Sequence, residues 1–167
     1  MRFVLIDRIV ELNRGKSLVA IKNLSLAEEY LADHFPGFPV MPGVLMLEAM
    51  TQAGAWLIRE QEDFAHSVIV LKLAKTIKYG SFVEPGRSLE VRVEQIAHDE
   101  QTTTFKGRGV IDGQTMVQGK LTLQRFNLAS GGDDSMKATD RTVIRELRDQ
   151  YALLTRGMYK TATVAAL

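Results

Sequence analysis

The sequence predicts an α+β fold: a curved antiparallel sheet wrapped around a long central helix, plus a C-terminal amphipathic helix. Three observations predict it. Val44–Arg59 is the one long helix candidate in the first hundred residues. Four strand-like runs follow it with no helix between them, and two of those runs alternate apolar and polar residues. Period two marks a strand with one buried and one wet face. Parallel pairing would need crossover helices, which this order does not supply.

The elements follow in order. Arg2–Leu12 and Ser17–Lys22 are rich in Val, Ile and Leu and flank Asn13-Arg14-Gly15-Lys16, which reads as a hairpin turn. Leu24–Phe35 is irregular, with a short helix expected at Leu26–Leu31. Pro36, Pro39 and Pro42 with Gly37 and Gly43 then exclude regular helix or interior strand, because proline lacks a donor and restricts its predecessor. Pro42 suits the first turn of the next helix. That helix, from Val44 to Ile58, carries almost no polar face and is predicted to be buried. Strands are expected at Ser67–Tyr79, Leu89–Ala97, Thr102–Ile111 and Thr115–Phe126, with Asp112-Gly113 as a tight turn between the last two. From Asn127 the composition changes. The boundaries predicted are a first domain at 1–127, a flexible linker at 128–139 and a helical tail at 140–167. Asp140 is placed to cap a helix presenting Val143, Ile144, Leu147, Tyr151 and Leu154 on one face. Whether that face packs on its own domain or on a neighbouring subunit stays open.

Composition bounds the chemistry. The 167 residues carry a formal net charge of +1, so no global basic field argues for nucleic acid. Cysteine is absent, which removes disulfides, thiol nucleophiles and thiolate metal sites. Three histidines in no ligand spacing argue against a metal site. Neither a signal pattern nor an apolar run of membrane-spanning length is visible, and a cytoplasmic location with no membrane partner is expected.

One segment concentrates candidate chemistry: His34, the Pro/Gly loop, then the helix bearing Glu48 and Gln52. Glu48 sits about two turns into an apolar helix, where lost hydration favours a carboxyl group able to hold a proton. His34 precedes a rigid loop that could fold it towards that helix. Gly43 and Val44 lie at the helix start, where unpaired N–H groups and the helix dipole favour negative charge. A base, an acid and an anion-stabilising helix end suit proton abstraction beside a carbonyl with loss of a β-substituent. Plainer readings stand beside this one: a hydrogen-bonded structural histidine, and a carboxylate paired for burial.

His34-Phe35-Pro36-Gly37, Pro42-Gly43-Val44-Leu45 and Glu48-Ala49-Met50-Thr51-Gln52 together resemble bacterial 3-hydroxyacyl-[acyl-carrier-protein] dehydratases of the FabZ type, which have the hot-dog fold. Weaker matches in the same order extend the resemblance over about residues 3–125, including Phe3–Ile9, Val19–Asn23, Val83–Leu89 and Gly109–Gly113. The resemblance implies that His34 takes a proton from C2 of a 3-hydroxyacyl thioester. It implies that the Gly43 N–H polarises the thioester carbonyl, that Glu48 assists departure of the 3-hydroxyl as water, and that Gln52 orients Glu48. The product would be a trans-2-enoyl thioester, formed without cofactor or metal. It further implies an acyl carrier protein as partner, and a homodimer, often in a trimer of dimers, whose sites combine His and Glu from different subunits. Met50, Ala53, Trp56, Leu57 and Val70 are candidates for an acyl tunnel, and Lys72, Lys75, Lys78, Arg87 and Arg92 for a carrier-protein rim. Departures are Phe38 and Arg87, where the family usually has Arg and Asp, and a tail longer than the family's. A hot-dog thioesterase and a non-catalytic acyl-binding subunit are the rival readings.

Overall fold

The computed structural model describes residues 4–35, 37–131 and 134–158. Six strands, β1 (Arg8–Asn13), β2 (Ser17–Asn23), β3 (Val68–Tyr79), β4 (Ser88–His98), β5 (Thr102–Ile111) and β6 (Gln114–Phe126), form one sheet in the order β1-β2-β4-β5-β6-β3. Every pairing is antiparallel. The long helix α1 (Gly43–Gln61) packs on one face of the sheet, and a second helix, α2 (Lys137–Leu154), follows it in the chain. The predicted plan is thus observed; β3 to β6 lie within a residue or so of their expected ends, whereas β1 starts at Arg8 rather than Arg2 and the short helix at Glu29 rather than Leu26. Among the described residues, no helix is long and apolar enough to cross a membrane.

Local chemistry accounts for the turns. Gly15 takes φ 67° in the first hairpin, while Asp112 and Gly113 both take positive φ, at 48° and 81°. Two central residues of positive φ make the turn whose twist matches antiparallel strands, and Asp-Gly is its natural occupant. Leu18, Ala20, Leu89, Val91, Val93, Phe105, Leu121 and Leu123 alternate towards α1 and are buried in one apolar core with it. Two glycines set how closely helix and sheet approach. A Cβ on Gly54 of α1 would stand 3.2 Å from the Phe105 ring, and one on Gly107 of β5 would stand 2.9 Å from the Met50 sulfur. Each surface therefore receives a bulky side chain from the other where it has none of its own.

The helix is not buried throughout, contrary to its all-round apolar sequence. Burial is continuous from Ala49 to Ile58 except at Gln52, yet Val44 is 67% exposed and Leu45, Leu47 and Glu48 are only partly covered. The first turns of α1 bury Met46 and leave the side bearing Val44 open.

The C-terminal segment docks on its own chain. Tyr151 lies 6.0 Å from Trp56 and 5.4 Å from Phe64 between ring centroids, and Leu147 and Leu154 are buried. Arg148 stacks its guanidinium 4.8 Å from the Phe64 ring and donates to the Asp63 carbonyl. The expected amphipathic face is the one used. In the stretch expected as a linker, the described part forms 3-10 turns at Leu128–Gly131 and Asp134–Met136, and α2 begins at Lys137, three residues before the expected start. Residues 132–133 and 159–167 of the linker and tail lie outside the described residues. Asp140 is no cap. From the first turn of α2 its carboxylate accepts from the Ser67 hydroxyl at 2.5 Å and from the N–H groups of Leu128 and Ala129, both at 3.0 Å.

Those donors, the Ser67 hydroxyl foremost, hold the Asp140 carboxyl below its ordinary range against the opposing effect of burial. A depressed folded-state value stabilises docking above the unfolded carboxyl value near 4 and loses that contribution as pH falls through the folded value. Trp56, the only tryptophan, reports the contact. Its fluorescence is expected to show α2 releasing on acidification below about pH 4. Asp140→Asn is expected to weaken docking at neutral pH and flatten that dependence. An Asn variant that docks and titrates like the parent would contradict this role.

Candidate active site

The three histidines divide by environment. His66 and His98 belong to a network at the far end of α1. Glu62 Oε2 is 3.0 Å from His66 Nδ1, and Glu62 Oε1 is 3.4 Å from His98 Nε2 and 2.6 Å from Nε of the buried Arg125. His98 Nδ1 and Arg125 Nη1 share the Thr103 hydroxyl at 2.9 and 3.1 Å. This network holds a buried charge in place. His34 differs: its backbone N–H donates to the Tyr30 carbonyl at 3.2 Å and its ring leans on Phe35, centroids 4.5 Å apart. Neither ring nitrogen has a hydrogen-bond partner among the described residues. The structural reading of histidine fits the first two and not His34.

Its placement follows from the preceding chain. A 3-10 turn at Glu29–Leu31 anchors through buried Leu31, and the chain then turns at Phe35 with φ 51° before the proline loop. Pro36 lies outside the described residues. Beyond it the loop is strapped to the β3–β4 connection: the Met41 N–H donates to the Val83 carbonyl at 2.8 Å, and Phe38 meets Phe82 edge-on at 5.8 Å.

Glu48 is held from one side only. Gln52, one turn later, donates from Nε2 to Glu48 Oε1 at 3.0 Å and accepts the Leu5 N–H on its own oxygen at 2.9 Å. With that oxygen occupied, the amide can present only its NH2 end to the carboxylate. Glu48 Oε2 is left without a protein partner among the described residues. Pro42, with φ −54°, precedes the helix. The Leu45 and Met46 amides both reach back to its carbonyl, whereas those of Gly43 and Val44 are helix-start donors with no acceptor in the helix. The Tyr79 ring covers Gly43 so closely that a Cβ there would lie 2.9 Å from Cε1. Glycine is needed for that approach.

The structure thus unites Gln52 with Glu48 and brings Tyr79 to Gly43. No hydrogen bond or ion pair joins His34 to Glu48 among the described residues of one chain. Phe35, Phe38 and Phe82 on these loops, Val44 on α1 and Tyr79 at the end of β3 are exposed apolar or aromatic side chains. Sequence reasoning did not assign Tyr79, Phe38 or Phe82 a role, nor the Leu5 amide, which is a backbone group 47 residues from its partner. The tunnel candidates divide: Met50, Ala53, Trp56 and Leu57 are packed in the core, and Val70 is exposed on β3, an outer strand of the sheet.

The five basic rim candidates also divide. Lys75, Lys78 and Arg92 line one groove of about 1300 Å³ across the sheet face opposite α1, together with Lys106, Arg108 and Lys120. Lys75 and Lys78 share that face because a bulge at Thr76, φ 52°, adds residues against Gly119. Lys72 stands apart, beside the turn at Asp99–Thr102. Arg87, the departure from the resembled pattern, is paired with Asp112 at 2.6 Å. In place of one continuous rim there are a groove, lined also by Glu11 and Glu94 and with its Arg92 paired to Glu90 at 2.5 Å, a separate lysine, and an arginine paired elsewhere.

Known proteins supply the context. A family model described as a FabA-like domain matches residues 1–120. The 3-hydroxyacyl-[acyl-carrier-protein] dehydratase FabZ of a Nitratiruptor species is 37% identical over 125 residues, covering 71% of this chain and 84% of its own length. Its namesake from Campylobacter fetus is 35% identical with the same coverage. Among solved structures, the dehydratase heterocomplex ApeI:P from Xenorhabdus doucetiae superposes with a TM-score of 0.64 at 19% identity, over 75% of this chain and 85% of that one. At that identity the likeness speaks for the fold.

Proposed function

Because the chain belongs to the FabA-like family and has its hot-dog fold, we propose that it dehydrates 3-hydroxyacyl thioesters carried on acyl carrier protein to trans-2-enoyl thioesters in fatty-acid synthesis. One observation carries the assignment of the site: only His34, of three histidines, keeps both ring nitrogens unclaimed among the described residues, and it lies in the segment resembling the dehydratases.

In this reading His34 removes a C2 proton while the Gly43 amide, with the positive end of α1 behind it, stabilises the enolate-like oxygen. Glu48 protonates the departing 3-hydroxyl through the oxygen that Gln52 leaves free. The elements of water leave and a C2–C3 double bond forms. The acyl chain enters past Phe35, Phe38 and Phe82; exposed Val70 is proposed to flank its path where subunits meet, with Met50, Ala53, Trp56 and Leu57 backing it from the core. Lys75, Lys78 and Arg92 offer the acidic carrier protein its electrostatic landing, with Lys72 and Arg87 outside it.

A homodimer completes the site. His34 and Glu48 do not bond within one chain, Val44 at the start of α1 lies exposed, and β3 is a twelve-residue edge bearing exposed Val70 and Leu73. Such an edge invites pairing with another chain, and a second copy would cover it. The proposed location of the dimer is the cytoplasm.

Incubation with 3-hydroxyacyl-carrier-protein and with 3-hydroxybutyryl and crotonyl thioesters tests the function. The expected result is a change in enoyl absorbance in both directions with no free thiol. Thiol release would mean a thioesterase, and ligand binding with no turnover a non-catalytic subunit. Either outcome defeats the proposal.

A further inference from the structure

A buried cation stands behind the turn that carries His34. Lys22 faces the interior from β2 with its side chain 5% exposed, and its Nζ lies 2.7 Å from Glu28 Oε1 and 3.4 Å from Asp7 Oδ2. Asp7 Oδ2 also accepts the Asn23 N–H at 2.6 Å. Glu28 opens the 3-10 turn Glu29–Leu31, its carbonyl accepting the Leu31 N–H at 3.1 Å. Tyr30 in that turn receives the His34 N–H. Its phenol is pushed well above the ordinary tyrosine range by burial first, then by the charges of Glu28 and Asp7. A continuous path therefore runs from Asp7 through Lys22, Glu28 and Tyr30 to the backbone of His34.

The Glu48 that this chain contributes to the dimer's other site hangs from the same short segment. Two residues before Asp7, the Leu5 N–H fixes the Gln52 amide that holds Glu48. Burying a lysine between two carboxylates is a poor way to stabilise a fold, because desolvation of the charges offsets their attraction and an apolar side chain often does as well. What the arrangement does provide is direction. A short ion pair fixes where the turn lies relative to the sheet, which generic apolar contact does not.

We propose that Lys22 is a positioning residue for the dehydration reaction: through Glu28 it locks the His34-bearing turn onto the N-terminal segment that also orients Glu48. The inference rests on the dehydratase reading for its kinetic consequence, and on geometry alone for its effect on the turn.

The test uses the full chain with Lys22→Met, which keeps length and removes charge, and Glu28→Gln, which weakens the link from the other side. In folded Lys22→Met, kcat is expected to fall about tenfold with KM within about twofold, since a misplaced base harms the reacting geometry more than ground-state binding. The double variant should lose no more than the worse single one, because both cut the same link. Amide hydrogen exchange supplies a readout independent of activity. Protection at 30–35 is expected to drop about tenfold while β2 and β4 keep theirs. Unchanged exchange at 30–35 overturns the proposal whatever the enzyme's activity, and so does an unchanged kcat in a folded, active background. If Lys22→Met fails to fold, Glu28→Gln decides by the same two criteria. A wild-type chain that dehydrates nothing defeats the function proposed above, while the exchange measurement still judges the lock.

Discussion

His34→Ala is expected to lower kcat for 3-hydroxyacyl thioester dehydration at least about 10²-fold, the usual scale of a lost general base. The variant should fold normally. The ring satisfies no described side chain or carbonyl, so its removal orphans no buried polar group, and its contact with exposed Phe35 contributes little. His66→Ala and His98→Ala are the internal controls. They disturb the Glu62–Arg125 network and should lower the melting temperature more than the rate. Near-full activity in His34→Ala, followed by enoyl absorbance, would remove the proposed base and with it the mechanism.

Glu48→Gln is expected to cost at least about 10²-fold in rate while leaving stability equal or raised. The substitution is nearly silent to the surroundings. Gln52 keeps its Leu5 partner and still donates to an oxygen at the same place, so what is lost is the group's capacity to give and take a proton. Gln52→Leu would differ, because it strands the Leu5 amide and lets the carboxylate rotate. Calorimetry beside the enoyl assay separates the two. A Glu48→Gln enzyme that retained near-parental turnover would show that the carboxyl group is not the acid.

Much of this was legible in residue order, for reasons that differ by element. The Asp112-Gly113 turn needs positive φ twice, and few dipeptides accept that, so two letters located the β5–β6 hairpin. Strands β4 and β6 alternate because one face meets α1 and the other meets water. The site segment was readable because thirteen intervening residues of loop and helix hold both His34 and Glu48.

What escaped was long-range or made of backbone. The Leu5 amide has no side-chain signature, and Lys22 reads as an ordinary solvated strand lysine until Asp7 and Glu28 fold around it. Asp140, further along the chain, supplies the acceptor for the Leu128 and Ala129 amides, a pairing that composition does not announce. The exposed start of α1 was illegible because apolar residues look alike whether a chain covers them itself or leaves them for another subunit.

The reciprocal sockets at Gly54 and Gly107 make α1 a beam clamped near its middle, with its first two turns cantilevered beyond the clamp. Load on the free end is carried to the grip at Met50 and Phe105 without straining the sheet. Val44, the exposed residue of that end, can accordingly be altered to suit another acyl group at little cost to folding, whereas Gly43 and Glu48 are held to their roles. Gly107→Ala, remote from any reacting atom, would tilt the whole lever and misaim them all.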